Sequence, residues 1–128
     1  MRSSMPIAIA ALLVSTSCSP PSTPSGSVLA QKLAGRVAGK PQTCVTRFGE
    51  QNLHALDAGT LVYGDGPTIY VNTLPPGSCP GIQPLSTLIV DTSGGQICRG
   101  DRVRALEMGA IIPGAPCNLG DWIPYRRP

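Results

Sequence analysis

Five cysteines divide this chain as one plus four. Cys18 closes a short apolar N-terminal run, whereas Cys44, Cys79, Cys98 and Cys117 are spread through the remainder. A chain carried by an export signal into an oxidising compartment can join four thiols as two disulfides, which leaves the fifth for another use. Such cross-links matter here because only five aromatic residues are available to fill a core.

The N-terminus supplies the export signal. Arg2 and the α-amine give a weakly positive start, and Met5 to Val14 form an apolar stretch of ten ahead of Ser15-Thr16-Ser17-Cys18. Residues 1–17 therefore read as a secretory signal peptide. Ten residues cover about half of the roughly 20 that a helix needs to cross a bilayer, so a retained span is not expected. The small residues before Cys18 resemble a bacterial lipobox, in which the cysteine is thioether-linked to diacylglycerol and becomes the new N-terminus. Ser15 stands where a lipobox usually has leucine, and Ser15 with Ser17 also suits ordinary signal cleavage, which would leave a free thiol on a soluble protein. Lipid attachment at Cys18 is the expectation, since a lone exposed thiol in an oxidising space invites unwanted pairing.

About 110 residues follow the leader, enough for one small domain. Ten basic residues face seven acids, and Arg2 leaves with the signal, so the mature surplus is too small to argue for nucleic acid. Ser19 to Ser27 has three prolines among serines and no apolar side chain to bury, so residues 18–27 form an expected extended, disordered tether. In polyproline II geometry it would reach up to roughly 28 Å.

The folded domain is expected over residues 28–128. Leu29, Leu33 and Val37 recur at four-residue intervals, which predicts one amphipathic helix over Val28 to Val37. From Cys44 onward the period changes to two, with glycine or proline every few residues. Strands are expected at Thr43 to Phe48, Asn52 to Leu56, Thr60 to Tyr63, Thr68 to Thr73, Thr87 to Asp91, Arg102 to Glu107 and Asp121 to Tyr125. Ile69 and Val71 share one face of their strand while Tyr70 takes the other, which predicts a sheet with one wet face. The expected fold is mainly β, a small antiparallel barrel or strongly bent sheet of about seven short strands, with one N-terminal helix packed over an opening or edge.

Zinc and disulfide are the two uses for the downstream cysteines. Structural zinc sites take ligands in close pairs, whereas these cysteines lie 35, 19 and 19 residues apart, so two disulfides are expected and no metal. Three pairings are open, and spacing alone does not choose. The favoured pairing is Cys79 with Cys98, which would join two neighbouring turn regions, and Cys44 with Cys117, which would clasp the first and last strands.

The search for catalytic machinery yields little. His54 is the only histidine and lies between Leu53 and Ala55 in an expected strand, with no acid at a telling spacing. No serine occupies a G-x-S-x-G elbow, and no glycine-rich phosphate loop occurs in strand-to-helix context. Asp91, Asp101 and Asp121 could form a carboxylate cluster if the sheet rolled suitably, which makes a small hydrolase the contrasting reading. Arg99-Gly100-Asp101 spells an adhesion tripeptide but is expected simply to start a strand. The last stretch gathers Trp122, Tyr125, Arg126 and Arg127, residue types enriched at recognition surfaces, although core packing is the favoured reading and Trp122 the main core aromatic it would supply.

Several of these segments together resemble a family of small exported proteobacterial proteins of unknown function. They are Ala38-Gly39-Lys40-Pro41 leading to Cys44, Tyr70-Val71-Asn72, Cys79-Pro80-Gly81, Ser93 to Asp101 (SGGQICRGD), and Gly120 to Arg127 (GDWIPYRR). The resemblance spans about Leu33 to Arg127. It implies a class of protein and carries over no catalytic residue or cofactor. The resulting expectation is a noncatalytic periplasmic or cell-envelope protein, membrane-bound through its N-terminal lipid, that serves as a structural or binding module toward an envelope protein or cell-wall component. A secreted enzyme inhibitor is a variant of that reading.

Overall fold

The computed structural model describes residues 17–18, 24–47, 52–92 and 94–128. One helix, α1 (Pro24–Lys32), precedes ten strands: β1 (Val37–Ala38), β2 (Cys44–Thr46), β3 (Leu53–Asp57), β4 (Thr60–Tyr63), β5 (Thr68–Thr73), β6 (Thr87–Asp91), β7 (Gln96–Cys98), β8 (Arg102–Leu106), β9 (Cys117–Asn118) and β10 (Trp122–Arg126). They form three sheets, ordered β1-β10-β5-β4-β3, β2-β7 and β6-β8-β9, and every pairing is antiparallel. The domain is mainly β, with two disulfides and one short helix. The ladders of the described residues run as three separate sheets.

The five-stranded sheet organises everything else, because its central strands β4 and β5 are covered on both faces. Direct cross-strand partners share a face, so Leu61, Tyr63, Tyr70, Asn72 and Trp122 stand on one side. Their side packs against Val45, Ile97, Val103, Ala105 and Leu119 from the other two sheets and their loops. Tyr63 meets Trp122 edge-on with ring centres 6.4 Å apart. Val62, Ile69 and Val71 form the opposite face, where Leu29 of α1 and Leu33 just after it cover them. The expected wet face is thus corrected: α1 lies over a face of the sheet, and the period-two pattern of β5 separates two cores rather than core from solvent.

The helix begins earlier than its apolar spacing suggests. Pro24 occupies the first helical residue, where a missing N–H costs little, so the last residues assigned to the tether are helical instead of extended. Residues 19–23 of the tether lie outside the described set. At the other end α1 stops at Lys32, and Val37 pairs with Arg126 as a strand residue. Arg36 fixes this crossing, since its guanidinium donates to the carbonyls of Pro67 at 2.7 Å and Gly66 at 3.0 Å.

The disulfides join Cys44 to Cys98 and Cys79 to Cys117, so the favoured pairing of Cys79 with Cys98 and Cys44 with Cys117 is corrected. Gln96–Cys98 is a strand rather than part of a turn, and it lies antiparallel to β2 with Cys44 directly opposite Cys98. Arg99 N–H donates to the Thr43 carbonyl at 2.7 Å, which makes the cysteine pair a non-hydrogen-bonded one, the closer type in an antiparallel ladder. Their Cα atoms are 4.0 Å apart. Cys79, in the loop after β5, reaches β9, where Cys117 pairs in register with Val103 of β8.

Asn72 is the buried polar residue of this core, wholly excluded from solvent. Its amide pairs reciprocally with one peptide group: Nδ2 donates to the Gly120 carbonyl at 2.8 Å, and Oδ1 accepts from Gly120 N–H at 2.9 Å. This clamp sets where the chain enters β10. Glycine suits position 120, because a Cβ would stand 3.0 Å from the Thr73 carbonyl oxygen and the backbone there would have to give. Replacing Asn72 with Ala strands both Gly120 groups, and unmade buried hydrogen bonds cost about 1–3 kcal/mol each. Asn72→Ala should therefore lower the thermal midpoint by roughly 10 °C or more, measured by circular dichroism.

Candidate functional site

The three candidate carboxylates are held by three different groups. Asp91, at the end of β6, accepts from Arg104 on the neighbouring β8 at 2.8 Å and lies 3.8 Å from Arg102. The Arg104 guanidinium holds the Asp91 carboxyl below its usual range. Asp101 accepts the Cys98 N–H at 2.7 Å and so serves the turn between β7 and β8. Asp121 pairs with Arg99 at 3.2 Å. None of the three lines a described cavity, and among the described residues no group of three or more His, Cys, Asp or Glu side chains gathers where a metal could sit.

The C-terminal stretch divides between core and surface. Trp122 is fully buried, with no hydrogen-bond partner for its Nε1, so it packs the core and is corrected as a member of a recognition surface. Tyr125 is half-buried against the cluster beneath α1, which leaves Arg126 and Arg127 exposed. Cys18 is exposed and unpaired, while the other four cysteines are bonded.

A concavity forms where the three sheets meet. Its volume is about 380 Å³, within the range of small-molecule sites. Leu53, Tyr63, Leu88, Val90 and Ile97 supply an apolar wall drawn from all three sheets, and Asn52, Ser86, Thr87 and Thr92 supply neutral polar groups. Arg47, just past β2, contributes the charge among the described lining residues. Its backbone N–H donates to Gly95 at 2.8 Å, which ties the cleft margin to the turn before β7. The described lining thus combines an apolar wall, neutral polar groups and one guanidinium. Sequence reasoning missed the cleft because its residues come from strands that are distant in sequence and become neighbours only through sheet packing. The one available signal was the run of small hydroxyl residues flanking Leu88 and Val90.

His54 stands on β3 opposite Val62, on the face that α1 covers. Burial and then the nearby Lys32 charge push its pKa down from the ordinary imidazole value, outweighing the raising effects of the Asn52 backbone and Asp65. The fold therefore favours neutral His54. Comparison with protein-family models, curated proteins and solved structures found no match to this chain.

A pH prediction follows from the sign of the His54 shift. The unfolded chain binds the imidazole proton more readily, so stability is greatest above about pH 6.5 and declines as pH falls through that value. Urea midpoints measured between about pH 7.5 and about pH 5 should fall for the native chain. His54→Gln should flatten that slope, while the Asp91 contribution is lost only at lower pH, near the carboxylate range.

Proposed function

We propose that this protein is a noncatalytic binding module of the bacterial cell envelope, exported by its leader and held to a membrane through diacylglycerol on Cys18. The observation that carries this reading is the division of the cysteines. Four are bonded within the domain, whereas Cys18 stands alone and exposed between the apolar leader and α1. Two disulfides fit an oxidising, exported environment, and among the described residues no helix is long and apolar enough to cross a membrane. A lipid on Cys18 gives the domain its membrane attachment and removes a reactive thiol. The resemblance of the segments from Leu33 to Arg127 to small exported proteins supports the same class.

The cleft between the sheets is the binding surface of this module. Its walls are set by strands and cross-links, so a ligand meets a preformed concavity and little ordering entropy is lost on binding. The partner is an envelope protein or cell-wall component that offers an apolar group beside a polar or anionic one.

Intact-mass analysis of the protein purified from its own membranes, with and without reductant, tests the reading. The expected product begins at Cys18, carries the mass of a diacylglycerol thioether, and gains four protons on reduction from its two disulfides. Cys18→Ala should shift the protein from the membrane to the soluble fraction. An unacylated Cys18, or four free thiols before reduction, would contradict it.

A further inference from the structure

Among the described residues, sheet edges are short or broken except at β6. The five-stranded sheet ends at β1, which has two residues and runs into Lys40-Pro41, and at β3, whose register shifts between Ala55 and Asp57. β9 also has two residues, and β2 and β7 have three each. Brevity, lysine, proline and bulges all keep an edge from pairing with another chain. β6 has none of these. It holds Thr87 to Asp91 in an unbroken register of five residues against β8 and contains neither lysine nor proline.

The ladder fixes which main-chain groups this edge presents. On β8 and just before it, the Ala105 and Asp101 carbonyls accept from Gly114 and Leu119, on the side of β9. Along a strand the N–H and C=O of one residue point the same way and those of the next point oppositely, so Arg102, Arg104 and Leu106 bond to β6. Their register partners Asp91, Ile89 and Thr87 are thereby paired, which turns the N–H and C=O of Leu88 and Val90 to the free edge. Among the described residues these groups have no hydrogen-bond partner.

The free edge opens on the cleft. The described lining takes Thr87, Leu88 and Val90 from β6 and none from β8 or β9, so the hollow lies beyond β6 on the side away from β8. β3 comes near β6, yet no ladder joins the two. Along this wall, main-chain donors and acceptors recur about 7 Å apart, the two-residue repeat of a strand. A hydrocarbon tail would leave such groups unpaired at a cost, whereas another extended chain matches them. Arg47 is exposed at the cleft margin, bonded through its backbone to Gly95 in the connection that leaves β6, and offers a positive charge to an acidic side chain.

We propose that β6 accepts an extended peptide segment of a partner protein as an added strand, paired to Leu88 and Val90, with alternate apolar side chains entering the cleft and an acidic residue near Arg47. This occupant rests on the reading of the cleft as a binding surface and gives that surface its class of partner. Main-chain pairing supplies affinity, and Leu53, Tyr63 and Ile97 in the same hollow select the side chains.

Random peptides displayed on phage and selected on the full chain provide the probe. Selected sequences, synthesised and added to the protein, should slow hydrogen exchange at the Leu88 and Val90 amides at least about tenfold. Val90→Pro removes an N–H that β8 does not use, so exchange in β4, β5 and β10 should stay unchanged while peptide affinity falls at least about tenfold. N-methylation of one alternating set of peptide amides should weaken binding equally, and of the other set should not. Peptides bound equally by Val90→Pro but lost with Arg47→Glu would overturn strand addition and leave the cleft standing as a binding surface. Selection of no peptide would overturn the proposed partner, while the lipid attachment is read separately by mass. Concentration-dependent dimers that protect Leu88 and Val90 without peptide would also overturn it, and would assign the edge to a second copy of this chain.

Discussion

Two interleaved covalent links hold this domain's parts in place. The Cys44–Cys98 bond closes a loop of 54 residues and the Cys79–Cys117 bond one of 38, and each span contains a cysteine of the other. Chain-entropy arguments assign about 4 kcal/mol to each loop taken alone, against about 5–15 kcal/mol for the total stability of a small domain. The need for them is visible in the sheets. A two-stranded ribbon such as β2-β7 is marginal by itself in water, and β9 is only two residues long. Cys44–Cys98 staples the ribbon across its own register, and Cys79–Cys117 brings β9 to the loop leaving the five-stranded sheet.

With those links in place, the central strands of the five-stranded sheet can be covered on both faces. Tyr63 and Trp122 fill one side, and α1 closes the other over Val62, Ile69 and Val71. The Asn72 amide reads the Gly120 peptide group through both of its hydrogen bonds, so the entry to β10 is fixed by polar geometry within an apolar core. Hydrogen-bonded burial of this kind confers specificity, because an alternative path for residues 119–121 would leave the amide unpaired. The junction of the three sheets that this frame holds leaves the cleft lined by Leu53, Tyr63, Leu88, Val90 and Ile97.

Much of the β structure was legible because alternation and turn residues act locally. β4, β5 and β6 match their expected bounds, and β3, β8 and β10 differ by a residue at one or both ends. The failures share a physical cause, namely dependence on contacts distant in sequence. β1, β7 and β9 have two or three residues each, too few for a period to appear, and they exist because a partner strand supplies their hydrogen bonds. The disulfide pairing differs for the same reason: Cys79 and Cys98 read locally as neighbouring turn regions, whereas Gln96–Cys98 is a strand that returns to β2. Ile69, Val71 and Tyr70 were read correctly as facing opposite ways, but no local pattern told that α1 would cover the second face. The cleft shows only where all three sheets pack together.

A specific pair of cross-links, Cys44–Cys98 and Cys79–Cys117, defines this fold. Proteolytic peptide mapping of the unreduced protein, with free thiols blocked beforehand, tests it most directly. The account predicts linked peptides containing Cys44 with Cys98 and Cys79 with Cys117, each separating on reduction. Recovery of Cys79 linked to Cys98, of Cys44 linked to Cys117, or of all four as blocked thiols would contradict it.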